Sequence, residues 1–188
     1  MPGAFPLVGT MAALQEEHFQ GADMPTIDPS LRPGKVSKWG EWVKSKPLVV
    51  NGTESRWRIL GKYDLVSTND DGTIGLIDCK VSDSQRDSGQ FYSPQLEAYA
   101  YALENPAAGK AQSVASMGLL VWRPTTAIGS NANEYGFGVM QKYVPVERDQ
   151  ANFLRVIGEF IDVLEGGLPA AGSECQTCTY LVARNALD

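Results

Sequence analysis

Residues 61–81 read GKYDLVSTNDDGTIGLIDCKV, and this stretch decides the fold prediction. The segment from Asn69 to Gly72 is a strong hairpin signal between two apolar runs. We therefore expect two antiparallel strands, with Asp64 on the first and both Asp78 and Lys80 on the second. Because residues two apart in a strand point to the same face, Asp78 and Lys80 should point together.

These three charged side chains lie on strands that are otherwise apolar. Burying them is expensive unless they pair tightly or hold a metal ion. Asp64 and Asp78 offer the hard carboxylate oxygens that Mg²⁺ and Mn²⁺ prefer, and Lys80 adds a cation. Metal-assisted phosphodiester hydrolysis requires such a set. The alternative is a surface ion pair on an edge strand, against which the apolar neighbours Leu76 and Val81 argue.

The rest of the chain alternates between helical and strand patterns. We predict helices over residues 8–20, 94–104 and 149–164, and further strands over residues 48–50, 57–67, 73–82, 117–122 and 135–146. Residues 21–34 are rich in Pro, Gly and Asp and predict a long surface connection. This order predicts an α/β or α+β fold, with a central mixed β-sheet flanked by helices.

The length of 188 residues fits one domain. We divide it into a first helix and connection (about residues 1–35), a core (about 36–165) and a tail (about 166–188). No apolar run reaches the roughly 20 residues that cross a membrane, and the start does not read as a secretory signal. Three cysteines make no disulfide framework, so cytoplasmic residence is expected.

The net charge of −6 does not by itself indicate a nucleic-acid-binding protein, but basic residues cluster locally. The candidates for nucleic-acid binding are Lys38, Lys44, Lys46, Arg56 and Arg58. They form either a surface that follows phosphates or an ordinary solvated face.

Three motifs follow one another in the order Gly61-Lys62-Tyr63-Asp64, Ile77-Asp78-Cys79-Lys80 and Gln95-Leu96-Glu97-Ala98-Tyr99. Together they resemble the Gly-x-x-Asp, hydrophobic-Asp-x-Lys and Gln-x-x-x-Tyr series of the PD-(D/E)xK nuclease superfamily, in its RecB-like branch. That branch includes nuclease domains of bacterial recombination helicases, CRISPR-adaptation nucleases and a mitochondrial single-strand exonuclease. The resemblance implies a restriction-endonuclease-like core.

The resemblance also implies a set of site residues. The catalytic set is Asp64, Asp78, Lys80, Gln95 and Tyr99, with Mg²⁺ or Mn²⁺ held by Asp64, Asp78 and the backbone carbonyl of Cys79. Lys80 would orient the attacking water or neutralise the developing oxyanion. Gln95 and Tyr99 are one helical turn apart and could act together, although Tyr99 could instead pack in the core.

The first helix departs from the family pattern. Many RecB-like nucleases carry a metal-binding His after Gly-Thr-x-x, and Ala13 occupies that position here. Glu17 is the predicted replacement and Glu16 the second choice. His18 is rotated by about 100° from Glu17 and is a weaker candidate. An ordinary solvated helix face is the alternative.

Cys175 and Cys178 resemble the tail of family members that bind an iron–sulfur cluster. No cysteine follows them, and the only other one is Cys79. Because such clusters usually need four thiolates, an intact iron–sulfur cluster is not expected in this chain. A two-cysteine remnant, a zinc site or a cluster shared between subunits are the alternatives.

The predicted function is a metal-dependent deoxyribonuclease, specifically an exonuclease acting on single strands or ends in recombination, repair or phage DNA processing. DNA is the expected partner, together with recombination or CRISPR-type proteins. Aromatic side chains that could stack on bases are Trp39, Trp42, Trp57, Phe91 and Tyr92, and the loop over residues 83–90 could clamp the substrate. The alternatives are a binding module that has lost catalysis and an RNA or restriction-type endonuclease.

Overall fold

The structure is a computed structural model that describes residues 6–82, 89–131, 133–167, 170–172 and 174–186. Its helices are α1 (Pro6–His18), α2 (Met24–Ile27), α3 (Gly89–Glu104), α4 (Gln150–Glu165) and α5 (Gln176–Asn185). Its strands are β1 (Gly34–Trp39), β2 (Trp42–Lys44), β3 (Val49–Val50), β4 (Thr53–Glu54), β5 (Leu60–Lys62), β6 (Leu65–Asn69), β7 (Ile74–Val81), β8 (Val114–Asn131) and β9 (Glu134–Val146). Residues 83–88, most of the predicted clamping loop, lie outside the described residues.

The central sheet has five strands in the order β1-β6-β7-β8-β9. Strands β7 and β8 are parallel, and the other neighbouring pairs are antiparallel. A parallel pair needs a crossover connection, and α3 lies within the one that joins β7 to β8. The prediction of a mixed central sheet flanked by helices is confirmed. Two further two-stranded sheets, β2–β5 and β3–β4, lie outside this sheet.

The predicted hairpin is formed by β6 and β7, with Leu65 opposite Ile77. Its turn contains Gly72 at a φ of 80°, which glycine adopts without strain. Asp71 closes the turn, because its Oδ1 accepts hydrogen bonds from the Thr73 backbone N–H and hydroxyl. When the β6–β7 register is extended by one pair beyond Leu65 and Ile77, Asp64 lies opposite Asp78.

The sheet is covered on both faces, and residues of β7 alternate between the two cores. Leu76 joins a cluster that includes Leu96 of α3, whereas Ile77 and Cys79 join the cluster that includes Phe19. Asp78, which lies between Ile77 and Cys79, therefore points toward α3. This alternation is the period of two that the sequence predicts.

Several predicted boundaries differ from the structure. The strand predicted over residues 57–67 is two strands, β5 and β6, that turn apart at Asp64. The connection predicted over residues 21–34 contains α2, and Met24, Ile27 and Leu31 are buried, because this segment covers the sheet face opposite α3. Helix α3 begins at Gly89, earlier than predicted, and α5 was not predicted. None of the described helices is both long and apolar enough to cross a membrane.

Candidate active site

Asp64, Asp78 and Lys80 meet at one point on the α3 face of the sheet. The Cys79 backbone N–H donates a hydrogen bond to Asp64 Oδ2 over 2.7 Å. Lys80 Nζ lies 2.5 Å from Asp78 Oδ2, and Asp78 is only 1% exposed. Apart from that ion pair, Asp78 Oδ2 has no hydrogen-bond partner within the described part of the chain. The sheet therefore carries a buried charged centre.

Helix α3 covers this centre with three side chains from one face. Gln95 Nε2 donates to Asp78 Oδ1 over 2.9 Å and to Tyr99 Oη over 3.1 Å. Tyr92, named from the sequence only as a base-stacking candidate, places its ring centroid 4.6 Å from Lys80 Nζ. A cation at this distance is attracted by the face of the ring. The structure thus brings all five predicted catalytic residues together and adds Tyr92, whose spacing of three from Gln95 could have indicated it.

The two carboxylates repel each other in this buried site. Burial, with the Asp64 charge second, raises the pKa of Asp78 to about 6. Burial also raises the pKa of Asp64, although the Cys79 N–H and Lys80 act in the opposite direction. For Lys80, burial acts to lower the pKa, but the Asp78 carboxylate outweighs it and the pKa is raised. Lys80 is therefore a persistent ammonium beside two carboxylates that resist full ionisation.

The first helix presents Glu16, and not Glu17, to this centre. Glu16 is half-buried, and burial together with the Asp64 charge raises its pKa. Glu17, the first choice from the sequence, is exposed. Helix α1 buries Gln15, whose Nε2 donates to the Leu120 carbonyl over 2.7 Å, and this fixes the rotation of the helix. His18 packs against aromatic rings, with its centroid 4.8 Å from that of Phe19.

The donors suit an open site for a hard divalent ion and not a closed cage. In the ranges that the structure describes, no group of three or more His, Cys, Asp or Glu side chains is arranged to enclose a metal ion. The two facing carboxylates, with Asp78 Oδ2 contacted only by the Lys80 ammonium among the described residues, nevertheless fit Mg²⁺, which is commonly held by one or two carboxylates plus waters and substrate phosphates. The Cys79 thiol faces the opposite core, and burial raises its pKa.

The five basic candidates do not form one surface. Lys44 is exposed on β2, and Lys46 and Arg58 are exposed just beyond β2 and β5, whereas Lys38 is half-buried on β1. Arg56 is paired with Glu165 over 2.8 Å. Lys62, which the sequence does not single out for binding, is exposed on β5.

The other predicted features are dispersed. Among the aromatic candidates, Trp42 is 70% exposed and Phe91 80% exposed, whereas Trp57 is half-buried and donates from Nε1 to Glu165. Cys175 and Cys178 lie at the start of α5, where the Cys178 N–H donates to Cys175 Sγ over 3.4 Å. Cys79 lies in the core, apart from that pair in the fold.

The chain is similar to a solved structure and matches a protein-family model. No curated protein matches the chain. A solved structure titled "Crystal structure of SSO0001" is similar, with 15% sequence identity and a TM-score of 0.49, over 94% of this chain and 67% of that chain. The family model described as the PD-(D/E)XK nuclease superfamily matches residues 13–183, which include all five predicted catalytic residues. Nucleases of this superfamily generally use divalent metal ions. The chain belongs to the PD-(D/E)XK nuclease superfamily.

Proposed function

We propose that this protein is a metal-dependent deoxyribonuclease of the RecB-like branch that acts on single strands or ends. The observation that carries the proposal is the pairing of Asp64 with Asp78 beneath Lys80 and Gln95. A buried pair of carboxylates beside one lysine is costly for folding, and a divalent ion would remove that cost. Processing of DNA in recombination, repair or phage replication, with recombination or CRISPR-type protein partners, is part of the same proposal.

Asp64 and Asp78 would hold Mg²⁺ or Mn²⁺, with Glu16 beside Asp64 and the Cys79 carbonyl as further donors. A bound ion supplies polarisation of the phosphoryl oxygen and a lower pKa for a bound water. The side chains of the protein supply the rest of the chemistry.

Lys80 is held in place on one side by Asp78 and on another by the Tyr92 ring. Its ammonium can orient the attacking water or neutralise negative charge that develops on the phosphate. Its raised pKa keeps it charged at neutral pH.

Gln95 fixes the orientation of both neighbours, because its amide donates to Asp78 and to Tyr99 at once. Tyr99 accepts that hydrogen bond through its hydroxyl oxygen, so it can donate its own proton to a substrate phosphate. Gln95 is thus a positioning residue for Asp78, and Tyr99 is a candidate contact to substrate.

A catalytically weakened binding module on the same fold is the second candidate. The observation that favours it is the lack, among the described residues, of a third side chain arranged with the two aspartates to enclose a metal ion. A protein of this kind would have the same fold and would bind nucleic acid, but it would not cleave it.

The test uses labelled single- and double-stranded DNA and RNA, with Mg²⁺, Mn²⁺ or EDTA. Wild type is compared with Asp78→Ala, Lys80→Ala and the exposed control Lys110→Ala. The proposal expects metal-dependent cleavage by wild type and the control and none by the other two variants. Circular single-stranded DNA separates exonuclease from endonuclease action, because it offers no end. No cleavage under any condition would support the binding module, and cleavage by both site variants would show that these residues are misassigned.

A further inference from the structure

The two-stranded sheet of β2 and β5, called the outer ribbon below, has one face turned to solvent. Trp42 lies opposite Lys62, and Lys44 lies opposite Leu60. Side chains directly opposite in an antiparallel pair share a face. The alternation of exposure continues just beyond both strands, because Ser45 is buried and Ile59 half-buried whereas Lys46 and Arg58 are exposed. The outer face therefore comprises Trp42, Lys44, Lys46, Arg58, Leu60 and Lys62, all of them exposed.

Four of these six residues are cations, on a protein whose net charge is −6. Considering only the described residues, none of the four forms an ion pair with a carboxylate. Arg58 donates from Nη1 to the Ser45 carbonyl over 3.3 Å, which leaves its other donors available. A local basic surface on an acidic protein is the electrostatic footprint of an anionic ligand.

The remaining two members of the outer face are large and apolar. Trp42 is 70% exposed and Leu60 is 64% exposed. Tryptophan side chains are usually largely buried in the protein. An exposed tryptophan within a cluster of cations is suited to a ligand that is both flat and negatively charged. Aromatic platforms flanked by basic residues bind single-stranded nucleic acid, because each unpaired base can stack while the backbone follows the cations. In a duplex, the faces of the bases are covered by their neighbours.

The inner face of the outer ribbon connects it to the active site. Val43 is buried, and Gly61 lies against the Tyr99 ring. Lys62 is two residues from Asp64, and its ammonium comes close to Glu16, since a Cβ added at Gly40 would stand 3.5 Å from Lys62 Nζ and 3.4 Å from Glu16 Oε2. The outer face thus begins beside the catalytic carboxylates and runs about 14 Å along the strands to Arg58 and Lys46.

We propose that the outer face binds single-stranded nucleic acid, with a base stacked on Trp42, and leads the strand toward Asp64 and Asp78. The inference rests on the proposed nuclease function and names the surface that holds its single-stranded substrate. It also predicts that a duplex binds only through its phosphates.

The test measures binding without cleavage. Wild type and variants are titrated in EDTA against a fluorescein-labelled oligodeoxythymidylate and against a hairpin duplex, at several salt concentrations. Trp42→Ala should weaken single-strand binding roughly 5- to 150-fold and leave duplex binding unchanged. Lys44→Ala and Lys46→Ala should each reduce the salt slope for the single strand by about 0.7. Trp42→Phe should restore most of the affinity.

The controls are Phe160→Ala, which removes an aromatic ring that is 60% exposed on α4, and Lys110→Ala, which removes an exposed lysine elsewhere. The proposal is overturned if Trp42→Ala binds like Phe160→Ala, if it weakens duplex and single strand equally, or if wild type binds neither. If the protein binds single strands as expected but never cleaves them, this proposal stands and the proposed nuclease function is wrong. If the protein cleaves DNA but Trp42→Ala does not change binding, the proposed nuclease function stands and this proposal is wrong.

Discussion

Gly61 lies directly against the ring of Tyr99, and a Cβ added at Gly61 would stand 2.5 Å from Tyr99 Cε1. Glycine is the residue that permits such an approach of backbone to side chain. The contact joins the outer ribbon to α3 at the tyrosine that Gln95 holds by a hydrogen bond. The glycine of the first motif therefore sets where the last residue of the third motif can stand.

Gly61→Ala should displace Tyr99 and lower kcat. The added methyl group overlaps the ring, and relieving such overpacking costs about 1–3 kcal/mol of stability. We expect kcat to fall about tenfold or more, since small misplacements near the chemistry are costly. Gly9→Ala is the matched control, because a Cβ there meets nothing within 4 Å. An unchanged kcat in Gly61→Ala would mean that the position of Tyr99 does not affect catalysis.

Asp78→Asn should stabilise the metal-free protein at neutral pH while it abolishes cleavage. The folded pKa of Asp78 is raised from 3.8 to about 6, so its contribution to stability is greatest at low pH and is lost as the pH rises through 6. The full difference corresponds to about 3 kcal/mol, reduced by the loss of the Lys80 ion pair. Thermal unfolding in EDTA should show a higher Tm for Asp78→Asn at pH 7 and no gain at pH 4. A lower Tm at pH 7 would contradict the raised pKa of Asp78.

Glu16→Gln and Glu17→Gln form a matched pair on consecutive residues of α1. Glu16 is half-buried beside Asp64, whereas Glu17 is exposed. Calorimetric titration with Mn²⁺ should show roughly tenfold weaker binding for Glu16→Gln and wild-type binding for Glu17→Gln. The reverse result would support Glu17, the first choice from the sequence. Equal affinities for all three proteins would mean that α1 contributes nothing to the metal site.

Arg148→Met should be severely destabilising, because Arg148 binds two glutamates of α3. Its Nε lies 3.1 Å from Glu97 Oε2 and its Nη2 lies 3.0 Å from Glu104 Oε2, and Glu97 is only 1% exposed. Removing one partner of a buried ion pair typically costs about 3–5 kcal/mol. Urea denaturation measures the loss. Arg56→Met, which breaks the exposed pair with Glu165, is the control and should cost about 1 kcal/mol or less.

The sequence predicted which side chains come together at the candidate site, because local rules position them. The turn before Thr73 and the alternation along β7 set Asp78 and Lys80, and helical spacing aligned Gln95 with Tyr99. Glu16 was only the second choice, because the buried face of α1 includes Gln15, a polar residue that hides the usual apolar pattern.

Contacts between distant parts of the chain were harder to predict. Arg56 looked like part of the basic cluster, but it is bound by Glu165, which is 109 residues away. Lys62 and Leu60 were read as part of one long strand, and only the turn at Asp64 shows that they share a face with Trp42. No local pattern encodes either relationship.

The outer ribbon is a sheet of its own, separate from the five strands that carry the catalytic groups. Its outer face contributes no side chain to the buried core, so substitutions there need not be compensated elsewhere. How tightly a strand is held and how fast it is cut can therefore change independently during evolution. For protein engineering, the same separation makes the outer face the place to alter affinity while the chemistry stays intact.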